Sequence, residues 1–323
     1  MGRWFVSATL AAAALLALPA PPRAADYPDH TIKVLVGFPP GGAIDLGARH
    51  FADYISTATK QPVVIENKPG AGGIVAADTV AHARPDGYTL FYSPLDTLAS
   101  AKYLYKSLNF DPMADFAPVV TTAELPFVLQ VNPKKPITSV AELTAFLKSR
   151  KGDTTFAAPN AMALIASELY LSLAGAKSIK VPYKSIQTAQ TDLMGGDIDF
   201  VFIASSLAIG PDRDGKLRSL AVTSAKRSGT MPELPTMVEA GVPGYELSTW
   251  SALFAPRGTP PDAIARIAQL VDEALKTDAT RAFLKDKLVA DPFPGTPESL
   301  AAKLKEQVAR WAELVKIADI QPQ

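Results

Sequence analysis

Cysteine is absent from the 323 residues, which excludes disulfides, thiolate nucleophiles and cysteine-based metal sites. Net charge is absent too. Thirty-two Lys and Arg balance 32 Asp and Glu, leaving neither a basic field for nucleic acid nor an acidic tail. The three histidines, His30, His50 and His82, stand outside any metal-ligand spacing and read as solvated surface residues. No Gly-x-Ser-x-Gly elbow and no Gly-Lys-Ser/Thr phosphate loop occurs. Gly70-Ala71-Gly72 would need a glycine at position 75 to complete a dinucleotide fingerprint, and Val75 stands there. With no nucleophile, base and oxyanion hole to assemble, the expectation is a protein without catalysis, cofactor or metal.

The N-terminal 25 residues read as an export signal. Arg3 lies in a short n-region, an uncharged Ala- and Leu-rich run covers 4–18, and Pro19, Pro21 and Pro22 break it before Ala24-Ala25. The run is too short to span a membrane comfortably. Cleavage after Ala25 puts Arg23 where a small residue is preferred, so Ala20 and Ala24 are alternative sites. Losing Arg3 and Arg23 leaves 30 basic against 32 acidic residues, still near neutral. At 48% apolar residues, the remainder is long enough for one large or two medium domains with real cores.

From residue 31 onward strand and helix signals alternate, the pattern of a parallel sheet with helices on its faces. Strands are expected at 31–38, 62–66 and 88–92, with helices at 43–59 and 73–83 between them. Extended segments follow at 116–122 and 127–131. A second set runs 139–151 (helix, with Ser139 and Glu142 as a capping box), 154–157, 161–174, 179–183, 186–194, 199–204 and 217–223. The chain then returns through an extended stretch at 245–255. A helix opens at Thr259-Pro260-Pro261 with Thr259 as its cap, and a last helix at Thr296-Pro297 buries Leu300, Leu304, Val308, Trp311 and Val315. Two similar α/β sets joined by crossings near 122–127 and 247–252 imply two lobes around a cleft. Lobe 1 is 26–122 plus 252–323 and lobe 2 is 123–251.

The chemistry-bearing stretch is Phe38-Pro39-Pro40-Gly41-Gly42-Ala43-Ile44-Asp45, where the first strand turns into the first helix. Free amides at a helix N-terminus carry partial positive charge, and glycines let a ligand approach them. The turn would grip a small carboxylate. A purely local strand end explains the same spacing, and Asp45 would then only complement the helix dipole. Asn160, Ala161 and Met162 form the corresponding strand-to-helix turn of the second set, so two helix N-termini could converge on one anion; an ordinary loop is the alternative. Tyr183 either reaches the cleft or covers the core edge, and Ser205, directly after strand 199–204, is the last candidate.

Taken together, several stretches resemble the Bug/TctC family, the substrate-binding proteins of tripartite tricarboxylate transporters. They are Phe38-Pro39-Pro40-Gly41-Gly42 with Asp45, the run from Gln61 through Asn67-Lys68-Pro69-Gly70 to Gly73, Pro85-Asp86-Gly87-Tyr88, Val181-Pro182-Tyr183-Lys184, Gly195-Gly196-Asp197, Leu220-Ala221-Val222-Thr223-Ser224, Pro235 to Gly241, and Trp250. The resemblance implies a two-lobed periplasmic binding fold (type II-like), each lobe a largely parallel sheet flanked by helices. It further implies a monomer that closes on a small carboxylate in the periplasm and passes it to membrane transporter subunits, or to a membrane sensor built on the same module. It points to the backbone amides of Phe38, Gly41, Gly42, Ala43, Ile44 and Asp45 as the carboxylate's holders. An exported α/β hydrolase is the remaining alternative, and the missing nucleophile argues against it.

The second-lobe loop departs from the family pattern. Many relatives read roughly Ser-x-Gly-x-Gly-Ser-x-x-His there. Here Ala157-Ala158-Pro159-Asn160-Ala161-Met162-Ala163-Leu164 lacks Gly, Ser and His, with Leu164 in the His position and Ser185 where Gly is usual. Fewer polar partners on the distal side would cost affinity for a second carboxylate. The expected ligand is therefore a carboxylate with an apolar or aromatic body, such as an aromatic acid or a medium-length diacid.

Overall fold

A computed structural model describes residues 27–183 and 185–322; the export signal and Lys184 fall outside them. The first set of elements follows the alternation closely. β1 (Ile32–Val36), β2 (Val63–Asn67) and β3 (Thr89–Pro94) are parallel neighbours in the order β2-β1-β3. α1 (Ala43–Thr59) links the first two and buries Ala48, Phe51, Ala52 and Ile55, the stripe that a 3.6-residue period puts on one face. α2 (Ile74–Ala81) starts one residue later than expected, because Gly72 and Gly73 hold φ of 61° and 100°, outside the helical region. α3 (Leu95–Ala99) and α4 (Ala101–Leu104) follow β3 directly and were not legible as helices in the sequence.

β4 (Phe116–Val131) is one unbroken strand where two segments are expected. Pro126 does not end it. Residues 116–126 pair antiparallel with the strand Ser248–Pro256, and residues 127–131 pair with the strands Phe200–Ala204 and Arg218–Val222, so the proline marks a change of partners. The second set comprises α5 (Val140–Ser149), β5 (Thr155–Ala158), α6 (Ala161–Ala174), β6 (Ile179–Pro182), α7 (Ile186–Gly195), β7 (Phe200–Ala204), α8 (Ser205–Arg213) and β8 (Arg218–Val222). It is followed by β9 (Ser248–Pro256), α9 (Pro261–Lys276), α10 (Asp278–Phe283), a π-helical turn at Leu284–Leu288, β10 (Asp291–Pro292) and α11 (Pro297–Ile317).

Strand order along the sheet is β2-β1-β3-β9-β4-β7-β5-β6, with β8 and β10 attached to β4. In the first half β1, β2, β3 and β4 share a direction that β9 and β10 oppose; in the second β5, β6, β7 and β8 oppose β4. Each half is thus mixed and mostly parallel with helices on its faces, a two-lobed α/β fold as the sequence implies. The β4–β9 ribbon joins the halves, and both crossings expected from the sequence lie in it. One apolar cluster runs from Leu35 and Phe91 through Phe156, Phe200 and Tyr170 to Trp311 and Leu314, so it spans both halves. α11 packs against α3 of the first half and α6 of the second.

Four local expectations are corrected. Thr259 does not cap α9: Pro260 occupies that position, and the Thr259 hydroxyl donates to the Pro256 carbonyl at 2.8 Å. Ser139 does cap α5, but Glu142 reaches past it to the Thr138 amide at 2.6 Å. His50 is half-buried, stacked on Phe283 with centroids 4.1 Å apart and hydrogen-bonded to Thr280, so its pKa is lowered by burial; His30 and His82 are exposed. In α11, Leu314 is buried and Val315 only partly so.

Candidate functional site

Parallel α/β sheets place ligands beyond the carboxyl ends of their strands. A cavity of about 380 Å³ lies there, between the two halves. Phe38 comes from the end of β1, Gly72 from the end of β2, and Pro94, Asp96, Thr97 and Ser100 from the end of β3 and the helices after it. Asn160, Ala161 and Met162 follow β5, Phe127 and Thr249 belong to the joining ribbon, and Trp311 comes from α11. A wider hollow at Pro133, Asp212 and Met231 touches none of these strand ends.

The opening turn is held by a compact polar network. The Asp45 carboxylate, 1% exposed, accepts the Gly41 amide at 2.8 Å, two Arg49 N–H groups at 3.0 Å and the Asn67 amide nitrogen at 2.8 Å. Burial alone would raise this carboxyl, yet Arg49, Gly41 and Asn67 together hold it below its ordinary value. Asn67 also donates to the Phe38 carbonyl at 3.0 Å, fixing the residue whose ring enters the cavity. The turn packs directly on the second glycine cluster, where a Cβ on Gly37 would collide with the Gly73 backbone. Thr97 and Tyr105 donate to the Gly72 and Ala71 carbonyls at 3.2 and 2.6 Å, tying that cluster to the segment after β3.

Of the sequence candidates, Phe38, Asn160, Ala161 and Met162 come together at the cavity; Gly41, Gly42, Ala43, Ile44, Asp45, Tyr183 and Ser205 are not among its lining. Of the two strand-to-helix turns, the one before α6 contributes Asn160, Ala161 and Met162 to this lining, and the one before α1 contributes Phe38. The Gly41 amide is taken up by Asp45, the Tyr183 hydroxyl donates to Asp192 at 2.7 Å, and the buried Ser205 hydroxyl donates to the Val289 carbonyl at 2.8 Å. At α6, Asn160 caps the helix by accepting the Ala163 amide at 2.9 Å. The Ala161 and Met162 amides have no acceptor among the described residues. These two N–H groups at the cavity wall form its anion-favouring end.

Sequence reasoning missed Asp96, Thr249 and Trp311. Asp96 is 8% exposed and accepts the Trp311 indole N–H at 3.3 Å. Burial pushes its carboxyl up to about 6, against the smaller pull of the neighbouring Thr249 and Trp311 donors. Thr249 lies near enough to exert that pull, although its hydroxyl has no partner in good hydrogen-bond geometry.

Residues 47–320 match the family model described as the tripartite tricarboxylate transporter family receptor, TctC. The chain belongs to this family. The receptor is 36% identical over 301 residues to the protein BugT of Bordetella pertussis, covering 92% of each chain. Rpa4515 of R. palustris, solved with adipate, has a TM-score of 0.79 and 32% identity, covering 92% of the receptor and 100% of that chain. MatC of Rhodopseudomonas palustris, solved with malate, has a TM-score of 0.73 and 32% identity, covering 90% and 100%. The family is one of periplasmic solute-binding receptors rather than enzymes. No group of metal-binding side chains occurs among the described residues, and none of their helices is long and apolar enough to cross a membrane.

Proposed function

We propose that this receptor captures a small carboxylate with an apolar or aromatic body between its lobes and presents it to the membrane subunits of a tripartite transporter. The lobes would be 26–122 with 252–323 and 123–251, and the mature protein would work in the periplasm after loss of its leader. The observation that carries the reading is the cavity itself. Its wall offers the Ala161 and Met162 amides to a carboxylate, while Phe38, Pro94, Leu104, Phe127 and Trp311 supply apolar surface to a ligand body. Adipate in one related structure and malate in another are small carboxylates, and adipate has the apolar body.

On this reading the carboxylate docks at the α6 N-terminus, and the lobes close about the β4–β9 ribbon. No Lys or Arg lines this cavity and amides meet the charge, so the expected salt dependence is modest. The expected result of a thermal-shift screen of small carboxylates is stabilisation by members with apolar or aromatic bodies, about 2.7 kcal/mol at a hundredfold excess over Kd. Tight binding of citrate or succinate without any response to the apolar acids would refute the assignment.

A further inference from the structure

Asp96 is the only charged side chain among the residues lining the cavity. One of its oxygens accepts the Trp311 indole at 3.3 Å, and the Thr249 hydroxyl, close enough to act on the carboxyl, has no partner in good hydrogen-bond geometry. A carboxylate-binding pocket gains nothing from a second, fixed negative charge. In so buried a position that charge would repel the far carboxylate of a diacid. The cavity adjoins a second hollow of about 310 Å³ through the shared residues Leu104, Tyr105, Asn160 and Ala161, and Lys180 stands on that side. Together the two linings offer a cation, two free amides, apolar surface and one acid.

We propose that Asp96 pairs with a protonated amine of the ligand, making amino carboxylates the substrate class of this receptor. The proposal rests on the reading that a carboxylate occupies this cavity, and it replaces the far carboxylate of a diacid with an ammonium group. The ligand carboxylate lies at the Ala161 and Met162 amides, its carbon skeleton runs past Phe38 and Leu104, and its ammonium reaches Asp96. An ammonium has three N–H donors, which suit the Asp96 carboxylate and the Thr249 hydroxyl oxygen. The raised carboxyl of Asp96 agrees with this arrangement, since burial disfavours its charge and a cation would compensate it. At neutral pH the group is mostly ionised and available.

Carbon-matched pairs test the proposal by calorimetry at neutral pH: hexanoate against 6-aminohexanoate, 4-methylbenzoate against 4-(aminomethyl)benzoate, and glutarate against glutamate. In wild-type protein the amino member of at least one pair is expected to bind about tenfold or more tighter than its partner. Asp96→Asn should remove that preference while keeping or improving affinity for the unaminated acid. The comparison of pairs in the wild type does not depend on how the variant folds, and Thr249→Val provides a second reduction of the preference. Unaminated acids binding as tightly as amino acids, with no response to Asp96→Asn, overturn this proposal and leave the carboxylate reading intact. Failure of all six compounds to bind overturns both.

Discussion

At the residue scale, Asp96 and Asp45 show how surroundings separate two buried acids. Asp45 is met by Arg49, Asn67 and an amide, so its charge is compensated inside the protein. Asp96 has only the Trp311 indole at hydrogen-bond geometry, and its carboxyl rises from 3.8 to about 6. Below 3.8 folded and unfolded chains both carry the proton; between 3.8 and about 6 only the folded chain keeps it. Ligand-free stability should therefore fall across that window by about 3 kcal/mol and level off above it. Asp96→Asn keeps the shape and removes the titration. Its stability relative to the parent should climb between about pH 4 and about pH 7 in urea unfolding, approaching that figure. A difference that stays constant with pH would show that the carboxyl does not bear the burial cost.

At the element scale, the two strand-to-helix turns look alike in sequence and differ in the folded protein. α1 begins at Gly42 with exposed backbone outside the cavity lining, whereas α6 begins at Asn160 on the cavity wall. Proline is tolerated at the first position of a helix and deletes one amide, and the residues before both positions already have extended backbone angles. Ala161→Pro should weaken carboxylate binding about tenfold or more with folding stability nearly unchanged, while Ala43→Pro should leave affinity alone. Isothermal titration of the two variants decides the point; equal losses would favour the convergent arrangement.

The extents of α1 and α6 and the start of α11 were legible because their terminal residues agree with the packing. α3 and α4 were not, since helices of five and four residues owe their form to tertiary contacts rather than to periodicity. Asp96 was hidden for a related reason. In the sequence it is one acid in a mixed stretch, and its meaning comes from Trp311, 215 residues further on. The only available signal was its place just after a strand that ends at the same edge as β1.

At the scale of the whole molecule, the halves are held by the β4–β9 ribbon, by the apolar cluster that crosses between them, and by α11. Twisting of the ribbon is the motion this layout favours. Small-angle scattering should record a smaller radius of gyration when a bound ligand draws the lobes together; an unchanged radius at saturation would argue for a pocket already closed.

α11 also sets an order of events. Trp311 lies later in the chain than every other residue lining the cavity, and its helix packs on both α3 and α6. A chain still being synthesised has all the earlier walls before it has the floor beside Asp96. The cavity is therefore complete only once this final helix has folded.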